Sequence, residues 1–283
     1  MLGKIKNSFS LLSSKLCSRL LNSFVYSIRT NDFNFRIYIN TRHERFRART
    51  FETKEPDTLS FISYFGNIHD VSLIDIGANI GIYSLAFASK SNSPVYAFEF
   101  DPSSQVSLIK NLSLNNFKNI TPVLAALDSS KNFSLLPTFY QIFEAGAGAG
   151  GLNKIYASVK SSNECLQTLT PSLSLDVFNS IHPFPGESVL KIDTDGHELD
   201  ILLGSKDLLR SGKILAIILE INSFAYSEAD VTDLLTTFGY CLVARSKWCQ
   251  QLSEGSIYNC VFLKSDSSND VIDYFKNNCH FEI

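Results

Sequence analysis

The sequence lacks most features that mark membrane-spanning, secreted and metal-scaffolded proteins. No apolar run in its 283 residues approaches the roughly 18–20 residues that a membrane-spanning helix needs. The apolar residues at the N-terminus are interrupted throughout, so a secretory signal is not expected there. The six cysteines are scattered, with no C-x-x-C pair and no histidine at metal-ligand spacing. We therefore expect reduced thiols and a cytoplasmic protein without a disulfide or zinc scaffold.

A basic surface is also missing from most of the chain. The formal net charge is −3, but residues 1–49 carry ten basic and two acidic side chains, a net +8. The other 234 residues carry 15 basic and 26 acidic side chains, a net −11. Because nucleic-acid phosphates need a cationic surface, no nucleic acid is expected to bind the main body. The 45% hydrophobic and 19% charged fractions indicate a folded globular protein.

The basic N-terminal segment has the pattern of an amphipathic helix. Apolar residues recur every three or four positions from Leu2 to Phe24, with lysine and arginine between them. Three interpretations stay open: packing on the domain or on a second copy of the chain in a homodimer, contact of residues 1–26 with a membrane surface, and an organellar transit peptide. We expect this extension to cover residues 1–50 and a single domain to cover residues 51–283.

The rest of the chain alternates between strand and helix patterns, which predicts a mostly parallel α/β sheet. Two short runs at 35–39 and 45–51 are predicted to pair as a hairpin, and a helix is predicted over about 53–65. Strands are predicted at 71–76, 95–99, 120–125, 188–193, 214–220 and 259–264. Helices are predicted to begin near Gly81, Pro102, Gly196 and Ser227.

Residues 140–163 interrupt this alternation. They contain the run E-A-G-A-G-A-G-G-L-N, which is too rich in glycine for a helix or a central strand. Two interpretations stay open: a surface loop, and a lid that closes over a substrate.

The strongest local motif is V-S-L-I-D-I-G-A-N-I-G-I-Y-S, beginning at Val71. It predicts an apolar strand that ends at Asp75, a turn that carries Gly77, Asn79 and Gly81, and the start of a helix. Glycine lets the backbone approach a ligand closely, and the helix N-terminus offers free N–H groups and a positive dipole end. A nucleotide-like ligand is therefore expected at the carboxyl edge of this strand.

Charge decides which ligand fits this turn. A dinucleotide site favours G-x-G-x-x-G, but Asn79 stands at the middle glycine and Asp75 would repel a pyrophosphate. Carboxylates suit S-adenosylmethionine, whose ammonium and sulfonium groups are cationic. Glu99 ends the second strand, where it can accept hydrogen bonds from ribose hydroxyls, a role that NAD and S-adenosylmethionine sites share. S-adenosyl-L-methionine is therefore the predicted cofactor, bound by Asp75, Gly77, Asn79, Gly81 and Glu99, and a dehydrogenase is disfavoured.

Four motifs in order resemble the FkbM-type methyltransferases: D-I-G-A-N-I-G-I-Y-S, F-E-F-D-P, L-K-I-D-T-D-G-H-E-L-D-I-L-L-G-S and I-L-E-I-N. The resemblance covers residues 45–264. It implies a class I methyltransferase, a Rossmann-like fold with a seven-stranded, mostly parallel sheet, an antiparallel last strand and helices on both faces. It also implies that the acceptor atom belongs to a hydroxyl group, often on a sugar or natural product. Asp128 stands where the adenine is held in the family, and two interpretations stay open for it: a contact with the adenine, and an acid that belongs to a turn. Asp195 stands where the family pattern K-x-D-x-E-G has glutamate. His197 stands directly after the glycine, at a position that is often small or aromatic in the family. Both departures concern the acceptor side of the site.

Candidate catalytic residues follow the fourth predicted strand. Lys191 and Asp193 fall on the same side by strand alternation. Asp193 is the first candidate for orienting the acceptor hydroxyl or taking its proton. Lys191 is the candidate for keeping the Asp193 carboxylate ionised or for neutralising a developing alkoxide. His197 is the rival base, since its unperturbed pKa is near 6.5. Glu220 is expected to line the acceptor pocket. No acidic triad has metal-site spacing, which predicts metal-independent chemistry.

The expected function is methyl transfer from S-adenosylmethionine to a hydroxyl group of a sugar, glycan or small natural product. The +8 segment favours an anionic acceptor or surface. Two alternatives stay open: a nucleic-acid methyltransferase that holds RNA with the basic segment, and a non-catalytic module that keeps the cofactor pocket. The first is disfavoured because the fourth strand is followed by D-T-D-G instead of the D/N-P-P-Y of base-amino methyltransferases.

Overall fold

The structure, a computed structural model, describes residues 24–140, 144–147, 150–151, 166–247, 249–252, 255–278 and 280–282. Nearly all of the predicted amphipathic helix lies outside these residues, as does most of the glycine-rich run. Residues 25 and 26, which the membrane hypothesis includes, belong to a strand. None of the helices in the described ranges is long and apolar enough to cross a membrane.

The described chain begins with a hairpin and three helices: β1 (Val25–Arg29), β2 (Asn34–Tyr38), α1 (Arg42–Arg49), α2 (Phe51–Lys54) and α3 (Pro56–Gly66). β1 pairs with β2, so the predicted pairing of 35–39 with 45–51 is wrong. The run 45–51 lies in α1 and the start of α2. Its arginines alternate with apolar residues as in a strand, but the buried Glu44, Ala48 and Phe51 follow a helical period.

The remaining elements follow the predicted alternation closely. In chain order they are β3 (Val71–Ile76), α4 (Ile82–Ala88), β4 (Val95–Glu99), α5 (Pro102–Asn115), β5 (Ile120–Leu124), β6 (Ala126–Leu127), β7 (Ser134–Tyr140), β8 (Gly150–Gly151), β9 (Leu166–Leu173), α6 (Leu175–Ile181), β10 (Glu187–Ile192), α7 (Glu198–Leu203), α8 (Lys206–Arg210), β11 (Ile214–Asn222), α9 (Glu228–Thr236), β12 (Tyr240–Ser246), β13 (Gln250–Leu252), β14 (Gly255–Lys264), α10 (Asn269–Asn277) and β15 (Phe281–Glu282). The sequence patterns did not predict β12, the helices α6 and α10, or the small sheet β6-β9-β7-β8.

A large sheet in the order β15-β12-β14-β11-β10-β3-β4-β5 forms the centre of the molecule, and β13 pairs with β14 beside it. The strands β11, β10, β3, β4 and β5 are parallel, whereas β14 is antiparallel to both of its neighbours. This confirms the Rossmann-like, class I methyltransferase fold. In the described part of the chain the sheet has nine strands instead of seven, because the short β13 and β15 are added.

The connections place a ligand crevice at the middle of this sheet. From β3 the chain moves to β4 and β5 on one side and later returns to β10 on the other side of β3. Ligands of open α/β sheets bind at such a switch point, outside the carboxyl ends of the strands.

The described part of the N-terminal segment packs into the main core. Phe35, Ile37 and Ala48 are buried in the same apolar cluster as Leu73 and Val189 of the central strands. Burial of this apolar surface ties the hairpin and α1 to the sheet. The division into an extension over residues 1–50 and a domain over residues 51–283 stays a prediction.

Candidate active site

A cavity of about 630 Å³ opens at the carboxyl ends of β3, β4, β10 and β11. Its first wall, here called the strand-end wall, consists of Gly77, Asn79, Glu99, Asp101, Asp193, Thr194, Asp195 and Glu220. Its second wall, the helical wall, consists of His43, Phe46, Arg47, Thr50, Thr53 and Lys54. Gly146 and Ala147 of the glycine-rich run also line it. The first wall is rich in carboxylates and the second carries basic side chains.

The turn after β3 brings the backbone close to the end of β10. Gly77 has a φ of +75°, and a Cβ at this position would lie 1.8 Å from the carbonyl oxygen of Asp193. Only glycine fits such an approach. Asn79 has a φ of +52°, and its Oδ1 accepts a hydrogen bond of 2.9 Å from the N–H of Ile80. The turn is therefore held by contacts within the protein, one of the backbone and one of the Asn79 side chain.

Glu99 lies at the end of β4 with only 5% of its surface exposed. Its Oε2 accepts from the N–H of Asn79 and its Oε1 from the N–H of Asp101, both at 2.7 Å. Burial raises the pKa of Glu99 to about 7, although these two backbone donors act to lower it. Each carboxylate oxygen has a second lone pair for a further hydrogen bond. Glu99 can therefore still accept hydrogen bonds from hydroxyl groups of a ligand in the cavity.

Asp75 and Lys191 form a buried ion pair below this turn. They are cross-strand partners of β3 and β10, and Lys191 Nζ lies 3.2 Å from Asp75 Oδ1. Ser84 Oγ donates to Asp75 Oδ2 at 2.6 Å. Asp75 is fully buried and is absent from the cavity lining. Its predicted part in cofactor binding stays a prediction, and the geometry favours an indirect part through Lys191.

Lys191 links this pair to the reaction centre. Its Nζ lies 3.5 Å from Asp193 Oδ2 and donates to the carbonyl oxygen of Gly77 at 3.3 Å. Burial alone would lower the pKa of Lys191, but the carboxylates of Asp75, Asp193 and Glu55 raise it. Burial would raise the pKa of Asp193, but the charges of Lys191, Lys54 and Arg47 lower it. The opposite charges of the two groups therefore favour the ionised form of both.

Asp195 lies in an unusual turn between β10 and α7. It has a φ of +55°, and Gly196 has a φ of +107°. The buried carboxylate of Glu198 holds the turn by accepting from the N–H groups of Thr194 at 2.9 Å and Gly196 at 3.2 Å. A non-glycine residue with positive φ is uncommon and is often found at functional sites.

The environment of Asp195 raises the pKa of its carboxyl group. Solvent in the cavity reaches its side chain, but the surrounding protein atoms desolvate it, and Asp193 and Glu198 repel its negative charge. These effects raise its pKa to about 7. The pKa of Glu220 is raised for the same reasons, desolvation first and then the charges of Asp193 and Asp195. The strand-end wall therefore combines an ionised carboxylate with two that hold protons more readily.

Three further predicted residues lie outside the cavity lining, as Asp75 and Lys191 do. Gly81 packs so tightly against α5 that a Cβ there would lie 2.2 Å from Leu108 Cδ1. Asp128 accepts from the N–H and Oγ of Ser130, both at 2.9 Å. His197 is half-buried at the start of α7, and burial lowers its pKa. Their predicted functional roles stay predictions.

The helical wall is the part that the sequence patterns missed. A capping box fixes the start of α1, since Thr41 Oγ1 accepts from the N–H of Glu44 and the Glu44 carboxylate accepts from the N–H of Thr41. The letters T-R-H-E are the sequence signal that could have identified it. Thr41 Oγ1 also donates to the carbonyl oxygen of Ala145 at 2.9 Å, and Arg47 Nε donates to that of Gly146 at 2.8 Å. The described part of the glycine-rich run is thus attached to α1 at the cavity.

Comparison with known proteins agrees with this architecture. The family described as "Methyltransferase FkbM domain" matches residues 75–242. The chain belongs to the FkbM methyltransferase family. A curated relative from Haloferax volcanii, "Hexuronic acid methyltransferase AglP", is 30% identical over 168 residues. The match covers 59% of this chain and 62% of that relative, which is less than two thirds of its length.

Solved methyltransferase structures have a similar but distant fold. Precorrin-6y C5,15-methyltransferase from Geobacter metallireducens has a TM-score of 0.40 at 14% identity, covering 75% of this chain and 90% of that chain. Magnesium protoporphyrin IX methyltransferase from Synechocystis has a TM-score of 0.43 at 12% identity, covering 80% and 85%. Structural similarity at this level gives no information about which acceptor is methylated.

S-adenosylmethionine is the cofactor of this family and fits the strand-end wall. A volume of about 630 Å³ is in the range of small-molecule sites. Glu99 has free lone pairs for hydroxyl groups, and the carboxylates of this wall suit a cationic ligand but oppose a pyrophosphate. The described residues contain no group of three or more His, Cys, Asp or Glu side chains that could hold a metal ion. Metal-independent chemistry stays a prediction.

Proposed function

We propose that this protein transfers a methyl group from S-adenosylmethionine to a hydroxyl oxygen of a sugar acceptor. The observation that carries the proposal is the convergence of Glu99, Asp193 and Asp195 on one cavity at the switch point of a methyltransferase fold. The name of the Haloferax volcanii relative, a hexuronic acid methyltransferase, supports a sugar acceptor.

Each wall residue has a distinct part in this proposal. Glu99 would accept hydrogen bonds from ribose hydroxyls, and the turn of Gly77 and Asn79 would hold the cofactor against the end of β3. When bound, the cofactor supplies an electrophilic methyl group on a sulfonium. Asp75 is a positioning residue that keeps Lys191 charged and in place.

The acceptor hydroxyl would meet two carboxylates of different basicity. Asp193 is held ionised by Lys191, so it is suited to accept a hydrogen bond from the hydroxyl and orient it. Asp195, whose pKa is raised to about 7, is better matched to take the proton near neutral pH. Proximity and alignment supply much of the acceleration of such a transfer, and a base adds about 10²–10⁴-fold.

Methyl-labelled S-adenosylmethionine incubated with the purified protein and a panel of sugars and glycosides tests the proposal. Labelled product, located on an oxygen by mass spectrometry and NMR, is the expected result. The turnover rate should rise with pH through about 7 as Asp195 loses its proton, and Asp195→Asn should flatten this rise. Saturable binding of NAD without binding of S-adenosylmethionine would contradict the proposal. Labelled RNA in a cell extract would favour the nucleic-acid alternative.

A further inference from the structure

The helical wall carries positive charge that the proposed methyl transfer does not use. We propose that Arg47, assisted by Lys54, binds a carboxylate of the acceptor, so that the cavity selects acidic sugars over neutral ones. This inference rests on the proposed function, because it names the acceptor class of the same cavity.

Arg47 lines the cavity and is anchored there by one hydrogen bond. Its Nε donates to the carbonyl oxygen of Gly146 at 2.8 Å, which fixes the plane of the guanidinium at the cavity. Among the residues that the structure describes, its two terminal amino groups have no hydrogen-bond partner and no ion-pair partner. A guanidinium matches the two oxygens of a carboxylate with parallel hydrogen bonds, so a fixed arginine with free donors is a recognition group.

Lys54 and two threonines complete the wall. Thr50, Thr53 and Lys54 line the same cavity, because α1 continues almost directly into α2. Lys54 is already paired with Glu55, whose other oxygen accepts from Tyr83 at 2.8 Å. Its charge is thus partly compensated, and it assists Arg47 instead of replacing it.

The charge of the two walls fixes where an acidic acceptor can place its carboxylate. The strand-end wall holds Glu99, Asp101 and Asp193, which repel an anion. The positive charges of Lys54 and Arg47 help to lower the pKa of Asp193, so these cations act close to the reaction centre. An acceptor carboxylate bound at Arg47 would therefore place the rest of the sugar toward Asp193 and Asp195.

The position of this wall in the chain favours the acceptor over the cofactor as the source of the carboxylate. Residues 43–54 precede residues 75–242, the part that matches the family. The cofactor is common to the family, whereas acceptor recognition is the part that differs on a shared fold. The methionyl carboxylate of the cofactor is the other carboxylate that Arg47 can bind. An experiment can distinguish it from a carboxylate of the acceptor.

The test compares two sugars that differ only at C6, methyl β-D-glucuronide and methyl β-D-glucoside. Their affinities are measured by NMR titration of the full chain saturated with S-adenosylhomocysteine. We expect the wild-type protein to bind the glucuronide at least about tenfold more tightly. Arg47→Gln should remove this preference without changing glucoside affinity, and Arg47→Lys should keep part of it. The exposed Arg49, two residues further along α1, provides the control Arg49→Gln, which should keep all of it.

Equal affinity for the two sugars, or no saturable binding of either, would overturn the inference. An equal loss of the preference for the glucuronide in Arg49→Gln would also overturn it. A second titration compares S-adenosylhomocysteine with 5′-methylthioadenosine, which lacks the carboxylate. If Arg47→Gln weakens only the former, Arg47 binds the cofactor and the acceptor assignment is wrong. The preference for the glucuronide is measured by binding and does not require turnover. If the preference is present but no methyl transfer is detected, the result counts against the proposed function alone.

Discussion

The two walls of the cavity are built by different means. The strand-end wall is fixed by backbone geometry, as in the contact of Gly77 with the carbonyl of Asp193 and the donation of two N–H groups to Glu99. The helical wall is fixed by side chains, through the capping box of Thr41 and the attachment of Arg47 to Gly146. Backbone constraints suit a ligand that a family shares, whereas a side-chain wall can change its chemistry by substitution. Substitutions that affect one wall and spare the other test this division.

The largest effect is expected from Asp193→Asn, which acts where the walls meet. The amide cannot hold the charge that orients the hydroxyl, so misalignment of the acceptor should lower turnover by about 100-fold or more. Affinity for S-adenosylhomocysteine should stay within a few-fold, because Glu99 and the Gly77 turn are untouched. Steady-state rates and calorimetric titration measure the two quantities. Asp233→Asn, an exposed change on α9, is the control, and full activity of Asp193→Asn would remove Asp193 from the mechanism.

A large effect on stability is expected from Asp75→Asn. This change removes the nearer partner of buried Lys191, and breaking a buried ion pair costs up to about 3–5 kcal/mol. Asp193 still lies 3.5 Å from Lys191, so the expected loss is at the lower end of this range. The free energy of unfolding in urea should fall accordingly, while Glu187→Gln at the exposed start of β10 should leave it unchanged. Unchanged stability combined with weakened cofactor binding would instead support direct cofactor contact by Asp75.

This contrast between Asp75 and Glu99 shows what the sequence can predict. The strands at 71–76 and 95–99 were predicted with the bounds that the structure has, because each is a short apolar run that ends at a turn. The sequence also indicated that Asp75 and Glu99 stand near strand ends. It did not show that Asp75 turns to Ser84 and Lys191, because that depends on how α4 and β10 pack against β3.

The helical wall was harder to predict for a related reason. The alternation in 45–51 favoured a strand, and only the capping box at Thr41 pointed to a helix. Its contacts join residues about a hundred positions apart, such as Arg47 with Gly146. No local pattern contains such pairs. The proximity of Lys191 and Asp193 was easier to predict because it is local: Lys191 lies near the end of β10 and Asp193 directly follows that strand.

A smaller effect is expected from Glu99→Gln, confined to the strand-end wall. The amide keeps the shape but offers one acceptor oxygen instead of two, so affinity for S-adenosylhomocysteine should fall about tenfold. The pKa of Glu99 is raised to about 7, so the carboxylate is protonated below that pH and ionised above it. Wild-type affinity should therefore rise with pH through about 7.

Calorimetric titration from pH 5.5 to 8.5 measures this dependence, with Glu187→Gln as the matched control. The affinity of Glu99→Gln should not vary over this range. An equally steep pH dependence in the variant would assign the titration to another group, and Asp195 is the first to examine, since its pKa is also raised to about 7.

The smallest effect is expected from Thr41→Ala, confined to the helical wall. The change removes the cap of α1 and the bond from Thr41 Oγ1 to Ala145, which should lower the free energy of unfolding by about 1 kcal/mol. Thr41→Ser keeps the hydroxyl and should restore the loss, whereas Thr236→Ala within α9 should cause none, because alanine is the better helix former. Affinity for S-adenosylhomocysteine should be unchanged while the KM for the acceptor rises, since α1 carries Arg47. An equal loss of cofactor affinity would mean that the two walls are one cooperative unit, and the division between them would not hold.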